Sequence, residues 1–207
     1  MKRVLVYCEG PTEETFVKKI LAPALYSYEV YLSPSSCGGV SKYSIIKHDL
    51  IRYCKSDPDV VITTMLDYYR LPSRTPGMDY TGGKDIYDRV AHVEAAILED
   101  IGEQNLIPNV MLHEFEALLF SKPECFSYCG LSSRQMRELH GIRLRAESPE
   151  HIDNGINTAP SKRIISIYPE YTKVLDGYQI AEDIGLETMR HECKHFNEWI
   201  EKLIALS

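Results

Sequence analysis

The length, composition and charge of the chain set the first limits on its function. The sequence has 207 residues, of which 44% are hydrophobic and 26% charged, and these values predict one domain, or one domain with a small appendage, that buries its own core. Its 23 lysines and arginines against 30 aspartates and glutamates leave a formal net charge of −7, which excludes a broadly basic surface that wraps nucleic acid.

The remaining composition bears on the environment of the chain. No apolar run approaches the roughly 18 residues that span a membrane, so we expect no membrane partner and a cytoplasmic location. The six cysteines show neither a C-x-x-C pair nor zinc-finger spacing, a pattern typical of scattered reduced thiols.

The order of the predicted elements favours an α/β fold. They are a strand over residues 3–8, a helix beginning at Thr12, a strand over 29–32, a helix over 43–55, a strand over 59–66, a helix over 84–102 and a strand over 110–112. Pro23 should kink or end the first helix, and a loop is predicted over residues 33–41. The alternation predicts a mostly parallel sheet that is flanked by helices.

The rest of the chain has a mainly helical pattern. Helices dominate beyond about residue 121, and a polar loop is predicted over residues 148–160. We therefore predict an α/β core over residues 1–120 and a mainly helical extension, packed on that core, over residues 121–207. Three side chains of the polar loop could take part in a functional site, namely Asp153, Asn154 and Asn157.

Acidic residues stand where the predicted strands end. Glu9, Asp67 and the pair Glu114 and Glu116 hold these positions. Because the carboxyl ends of parallel strands meet at one edge of a sheet, we expect these carboxylates to converge there. A divalent cation would relieve their mutual repulsion, and oxygen ligands without thiols favour Mg²⁺ or Mn²⁺. Each acid could instead be a solvated loop residue or a helix cap.

Two motifs resemble those of a known group of nucleases. The sequence EGPTE, residues 9–13, closes a strand and resembles the first motif of TOPRIM domains. More specifically, it resembles the opening of the nuclease domain of the overcoming-lysogenization-defect (OLD) family. The second TOPRIM motif is a strand that ends in Asp-x-Asp. Asp67 matches its first acid, and Tyr69 stands where the second acid belongs.

The resemblance extends over nearly the whole chain, to a family of uncharacterised bacterial TOPRIM-like proteins that is numbered as a domain of unknown function. Its marks here are EGPTE, LDYY at residues 66–69, HEFEALLF at 113–120, PSKR at 160–163 and H-F-x-x-W at 195–199. The resemblance implies a TOPRIM or Rossmann-like α/β fold. It also implies a Mg²⁺- or Mn²⁺-dependent nuclease that hydrolyses phosphodiester bonds of nucleic acid beside a separate ATPase subunit, in phage defence or DNA processing. We expect DNA rather than RNA as its nucleic acid. The chain could also form a homo-oligomer.

The acids of this expected centre take roles that follow from their chemistry. Glu9 and Asp67 would hold a cation that polarises a phosphoryl oxygen. Glu13 would be a further ligand, or a helix-start residue whose charge the helix dipole favours. Glu114 and Glu116 would not share a helix face. One of them would therefore hold a second cation or orient water, and we prefer Glu116.

Other polar residues could support this centre. His113 is a candidate hydrogen-bond partner for Glu116. Four basic residues are candidates for contacts with phosphate: Lys162 and Arg163 at a predicted helix start, and Arg70 and Arg74 in the loop after the third strand. Each of these cations could equally be a solvated surface residue.

The segment from His191 to His195 matches the H-E-x-x-H motif of zinc peptidases. The extended form of that motif is absent, since Glu198 stands in the position of its glycine. We therefore favour an amphipathic terminal helix over a zinc site. The residues that it would bury are Phe196, Trp199, Ile200 and Leu203.

Two functions stay open at this point. The first is a metal-dependent nuclease, and the alternative is a catalytically degraded TOPRIM-like subunit that binds and regulates an ATPase. Tyr69 favours the alternative because it removes one expected metal ligand. The glycine-rich segment over residues 77–85 lacks the spacing of a P-loop, so the ATPase would be another chain in both cases.

Overall fold

A computed structural model of the chain describes residues 1–39, 42–83, 85–152 and 158–207. The described residues divide into two units. The first consists of Met1–Leu112 together with Lys202–Ser207, and the second consists of His113–Glu201. Val40, Ser41 and Lys84, which the sequence assigns to a loop and to the start of a helix, lie outside the described residues.

A parallel sheet forms the centre of the first unit. In the part of the chain that the structure describes, its five strands are β1 (Lys2–Cys8), β2 (Val30–Ser36), β3 (Val61–Asp67), β4 (Leu106–Ile107) and β5 (Val110–Met111). β1 lies between β2 and β3, and the other edge of β3 pairs with β4 and then with β5. Every pairing is parallel, which confirms the predicted α/β fold.

Helices cover this sheet because their apolar stripes need a partner surface. The helices of the first unit are α1 (Pro11–Phe16), a π-helical segment (Val17–Leu21), α2 (Ala22–Tyr26), α3 (Tyr43–Ser56) and α4 (Ile86–Ile101). α3 and α4 share one core with the sheet, in which Leu50 and Ile97 join Tyr7, Ile62 and Leu66. Asp85 caps the start of α4, and Gly102 ends it in a left-handed conformation with φ 72°.

The first helix does not end at Pro23, where the sequence predicted either an end or a kink. It continues through α2 to Tyr26, and a π-helical segment ends at Leu21, two residues before the proline. In that segment the N–H of Ala22 donates to the carbonyl of Val17, one residue further back than in an α-helix. Proline has no N–H and crowds the carbonyl of the preceding turn. A wider turn at this point accommodates both consequences.

Strand β2 is longer than predicted. It continues to Ser36 through Pro34, where the sequence predicted a loop. The pairing explains why the proline is tolerated, because β2 is the outer strand of the order β2-β1-β3-β4. Proline cannot donate a ladder hydrogen bond and is therefore confined to edge strands.

The backbone pairing along one edge of β3 is interrupted between β4 and β5. Hydrogen bonds from threonine side chains of β3 bridge this gap. The Thr63 hydroxyl donates to the carbonyl of Ile107 at 2.7 Å. Thr64 Oγ1 donates to the carbonyl of Asn109 at 2.6 Å and accepts its N–H at 2.9 Å. Both residues are buried, so these bonds replace the sheet ladder where β4 and β5 part.

Replacing Thr64 with valine should therefore destabilise the first unit by about 2 kcal/mol, since two buried backbone groups of Asn109 lose their partner while the shape is kept. Urea unfolding of both proteins measures this change. Thr15→Val is the matched control, because the Thr15 hydroxyl bonds the carbonyl of Pro11 at an exposed position. Equal losses from the two substitutions would contradict the bridging role.

The second unit is mainly helical, as predicted for the C-terminal portion. Its helices are α5 (Glu116–Leu119), α6 (Ser133–Arg145), α7 (Pro160–Ile167), α8 (Leu175–Ile184), α9 (Leu186–Glu192) and the part of α10 (Lys194–Ile204) up to Glu201, with 3-10 segments at Pro123–Cys129 and Pro149–His151. Buried aromatic residues dominate its core: Phe115, Phe120, Phe126, Phe196 and Trp199. No helix among the described residues has the length and apolar character that a membrane crossing requires.

Candidate functional site

The two acids that end the central strands lie side by side. Glu9 directly follows β1, Asp67 is the last residue of β3, and the two strands are neighbours. Glu9 Oε2 accepts a hydrogen bond from the backbone N–H of Asp67 at 3.3 Å. Each residue is 5% exposed. The structure thus brings Glu9 and Asp67 together at the carboxyl edge of the sheet, where ligands bind in parallel α/β folds.

Glu9 is held by contacts from two further segments. Its carbonyl accepts the N–H of Gly39 at 2.9 Å, which ties the loop after β2 to the end of β1. Its other carboxylate oxygen, Oε1, lies 3.1 Å from Nη1 of Arg70. The Arg70 side chain is about half exposed, so the ion pair joins a buried carboxylate to a guanidinium group that solvent can reach.

Glu13 performs the helix-start role that was one of its two predicted roles. Its carboxylate accepts the backbone N–H of Gly10 at 2.9 Å, at the beginning of α1. An acid at this position also interacts favourably with the positive end of the helix dipole. Glu13 is buried next to the Glu9 segment, and a further role as a metal ligand stays a prediction.

Tyr69 and Arg70 occupy the place where a second acid would follow Asp67. Arg70 Nε donates to the Tyr69 hydroxyl at 3.1 Å, and its guanidinium carbon lies 5.8 Å from the centre of the Tyr69 ring. The departure from Asp-x-Asp is therefore accompanied by a cation that reaches Glu9. In electrostatic terms, Arg70 supplies a positive charge beside the first acid of the pair.

The donor set at this edge fits a magnesium or manganese ion that keeps water ligands. Mg²⁺ is usually held by one or two carboxylates, and Glu9 and Asp67 supply two. Within the described ranges, no group of three or more histidine, cysteine, aspartate or glutamate side chains is arranged to hold a metal ion. A bound ion would therefore complete its shell with water or substrate oxygens, and Glu9 would be shared with Arg70.

A second acidic group lies in the second unit. Glu114 and Glu116 are 2% and 1% exposed, and both reach the same cation. Lys173 Nζ lies 2.9 Å from Glu116 Oε1 and 3.6 Å from Glu114 Oε1. The premise that the two acids lie on one helix does not hold, because Glu114 precedes α5 and only Glu116 belongs to that helix. A role of either acid in holding a cation or orienting water stays a prediction.

Burial controls the protonation of this group. It raises the pKa of Glu116 from its usual 4.5 to about 7, and the charge of Glu114 adds to the rise while Lys173 opposes it. Burial also raises the pKa of Tyr171, with the charges of Glu116 and Glu114 as further causes. The Glu116 carboxyl therefore gains or loses its proton near neutral pH. His113, the predicted partner of Glu116, is buried as well.

The predicted phosphate site at the start of α7 is occupied by a protein carboxylate. The backbone N–H of Ser161 donates to Glu114 Oε2 at 2.9 Å. Lys162 is exposed on the same helix, so its proposed contact with phosphate stays a prediction. Arg163 is half-buried, and its Nε donates to the carbonyl of Thr158 at 2.6 Å.

Only one of the remaining candidates from the sequence lies among the described residues. Arg74 lines a groove of about 610 Å³ in the first unit together with Lys42, Lys47 and Asp100. The three polar-loop candidates, Asp153, Asn154 and Asn157, lie outside the described residues.

The H-E-x-x-H segment does not form one helix face. α9 ends at Glu192 and α10 begins at Lys194, so a break at Cys193 separates the two histidines. The His191 side chain is 85% exposed, whereas His195 is buried. The prediction of a terminal helix with inward apolar residues is confirmed, because all of them are buried: Phe196, Trp199, Ile200 and Leu203.

Two residues with structural importance were missed from the sequence. Lys173 gives no signal because its partners come from a distant segment of the chain. Glu150 is buried and accepts the backbone N–H groups of His195 and Phe196, at 3.0 and 2.9 Å, at the start of α10. A carboxylate that caps a helix from another segment leaves no local sequence pattern.

Comparisons with known proteins place these observations in a family context. A family model described as "Domain of unknown function (DUF4276)" matches residues 8–204. Among solved structures, the C-terminal region of the Burkholderia pseudomallei OLD protein matches at 15% identity over 99% of each chain, with a TM-score of 0.46. The C-terminal region of the Xanthomonas campestris pv. campestris OLD protein matches at 14% identity over 97% of each chain, with a TM-score of 0.44. A comparison with curated proteins gave no match.

Proposed function

The chain belongs to the DUF4276 family, and we propose that it is a metal-dependent nuclease that hydrolyses phosphodiester bonds in DNA. The observation that carries the proposal is the buried pair of Glu9 and Asp67 at the carboxyl ends of two adjacent parallel strands. Two carboxylates at this edge form a suitable site for Mg²⁺ or Mn²⁺.

The residues of the pair have defined tasks in this proposal. Glu9 and Asp67 would hold the ion, which would supply Lewis-acid stabilisation of the negative charge that develops on a phosphate in hydrolysis. The hydrogen bond from the Asp67 N–H fixes the Glu9 carboxylate in place. Arg70 lies beside the pair with its side chain half exposed, and a guanidinium is well suited to bind a substrate phosphate.

A cleavage assay tests the proposal directly. The purified chain is incubated with supercoiled plasmid and with circular single-stranded DNA, in Mg²⁺, in Mn²⁺ or in excess chelator. We expect nicking or degradation with either cation and none with chelator. Calorimetric titration with Mn²⁺ should show binding in the same buffer. The nuclease proposal would be refuted if the chain neither cleaved DNA nor bound a cation in any of these conditions.

The ion pair between Arg70 and Glu9 favours a second candidate function. A guanidinium 3.1 Å from Glu9 neutralises the acid without a metal, and Tyr69 removes the next expected ligand. Such a site would suit a regulatory subunit that has lost catalysis and binds a partner ATPase. Tight binding to the ATPase without any affinity for Mn²⁺ would select this candidate over the nuclease.

We also propose a separate ATPase subunit as the partner in either case. The resemblance of EGPTE to the OLD family supports this assignment. Because residues 77–85 lack the spacing of a P-loop, the proposed ATPase is placed on another chain. The proposed setting is phage defence or DNA processing. Co-purification of the chain with the product of a neighbouring ATPase gene tests the partnership.

A further inference from the structure

An arginine-lined groove lies between α6 and α7, within the second unit. It has a volume of about 600 Å³. Four arginines contribute to its walls: Arg134, Arg137 and Arg145 from α6, and Arg163 from α7. Ile142 and Ile167 also line it, and both are buried. The other residues of its lining are Glu138, Gly141 and Ser166.

The spacing of the arginines along α6 places them in one row. Arg134, Arg137, Gly141 and Arg145 follow each other at intervals of three, four and four residues, which is the repeat of a single helix face. At a rise of about 1.5 Å per residue, the row extends for about 16 Å. Gly141 keeps the middle of the row open, because a Cβ there would lie 3.2 Å from Arg145 Nη1.

The charge of the groove contrasts with that of the chain. Among the described residues of its lining, four arginines oppose one glutamate, whereas the whole chain has a formal net charge of −7. Glu138 pairs with Arg134 at 2.9 Å. Arg137 and Arg145 are exposed and form no ion pair with any described residue. At least two guanidinium groups are therefore available to an external anion.

We infer that this groove binds the sugar-phosphate backbone of a nucleic acid. Guanidinium groups pair with phosphate through two parallel hydrogen bonds, and every cation in the lining is an arginine. A row of about 16 Å matches a ligand with regularly spaced negative charges, which a nucleic-acid strand provides every few ångströms along its length.

The lining also indicates how the nucleic acid is recognised. Among the described residues that line the groove, none is an aromatic side chain on which a base could stack. Contacts to phosphate fix position and carry no sequence information. The groove therefore holds the backbone without sequence preference. This inference rests on the proposed function only in taking nucleic acid as the ligand, and it adds a binding surface distinct from the Glu9 and Asp67 pair.

Fluorescence anisotropy with a labelled duplex oligonucleotide, in chelator so that no cleavage can occur, tests the groove. The full chain is compared with the triple variant Arg134→Gln/Arg137→Gln/Arg145→Gln. We expect the variant to bind about tenfold more weakly at about 50 mM salt. Its slope of log affinity against log salt should be shallower by about 2 to 3, roughly one for each lost phosphate contact.

A second variant probes the groove with a single change. Gly141→Glu adds a carboxylate in the middle of the row, four residues before Arg145, where the two side chains can pair. Glutamate is the better helix former, so the helix should persist, and circular dichroism verifies this. The matched control is Arg89→Gln, which removes one charge from an exposed position on α4 and should change affinity by less than about twofold.

Three outcomes would overturn the inference. They are unchanged binding in both groove variants, an equal loss in Arg89→Gln, and competition by polyglutamate as strong as that by unlabelled oligonucleotide. The last would show a general site for acidic polymers. Binding is measured without metal, so it is independent of cleavage. If the parent chain shows no cleavage but the groove variants bind the oligonucleotide more weakly, the nuclease proposal is refuted and the inference about the groove is supported.

Discussion

Metal-dependent DNA cleavage should fall by about 10³-fold when Glu9 is replaced by glutamine, which corresponds to a loss of about 4 kcal/mol in transition-state stabilisation. Glutamine keeps the size of the side chain, and its amide oxygen can still accept the N–H of Asp67. The substitution removes the negative charge that a divalent ion needs. The rate with Mg²⁺ and the affinity for Mn²⁺ should therefore fall together.

A neighbouring acid provides the control for this experiment. Glu14→Gln removes one negative charge from α1, five residues along the chain from Glu9, without touching the strand end. We expect this variant to cleave at the parent rate. Equal activity of Glu9→Gln and the parent, with the fold intact by circular dichroism, would exclude Glu9 from the reaction.

The part of the site that could be predicted depends on strand ends. Glu9 and Asp67 were identified because parallel strands place their carboxyl ends at one edge, and this rule needs only the correct strands. Arg70 was named as a contact for nucleic acid, but its ion pair with Glu9 is a tertiary contact between segments far apart in the sequence. Lys173 was missed for the same reason. Ion pairs of this kind have no period that a sequence pattern could show.

The parts of the fold that escaped prediction also have a common cause. Pro23 and Pro34 were treated as local breakers, yet a π-helical segment accommodates the first and an edge position accommodates the second. The separation of β4 from β5 depends on side-chain bonds from Thr64 to Asn109. Local propensity decides which elements form, whereas tertiary contacts decide where they end.

The stability of the second unit should decrease by about 3 kcal/mol as the pH rises from about 4.5 to about 7, as a result of Glu116. The unfolded chain releases the Glu116 proton near the usual pKa of 4.5, while the folded chain retains it until the raised pKa of about 7. Between these values the folded state binds more protons, so the free energy of unfolding falls with rising pH. The contribution is complete below the lower value and lost above the higher one.

Glu116→Gln isolates this contribution, since glutamine resembles the protonated acid in shape and has no proton to lose. The variant and the parent should be equally stable near the usual pKa, and the variant should exceed the parent by about 3 kcal/mol at about pH 8. Urea unfolding, followed by the fluorescence of Trp199, measures the free energy of unfolding of the variant and the parent at each pH. Trp199 is the one tryptophan of the chain and lies in the second unit. Glu170→Gln is the exposed control and should leave the pH dependence unchanged. A stability difference between Glu116→Gln and the parent that does not vary with pH would show that Glu116 stays ionised in the folded chain, with Lys173 compensating its charge.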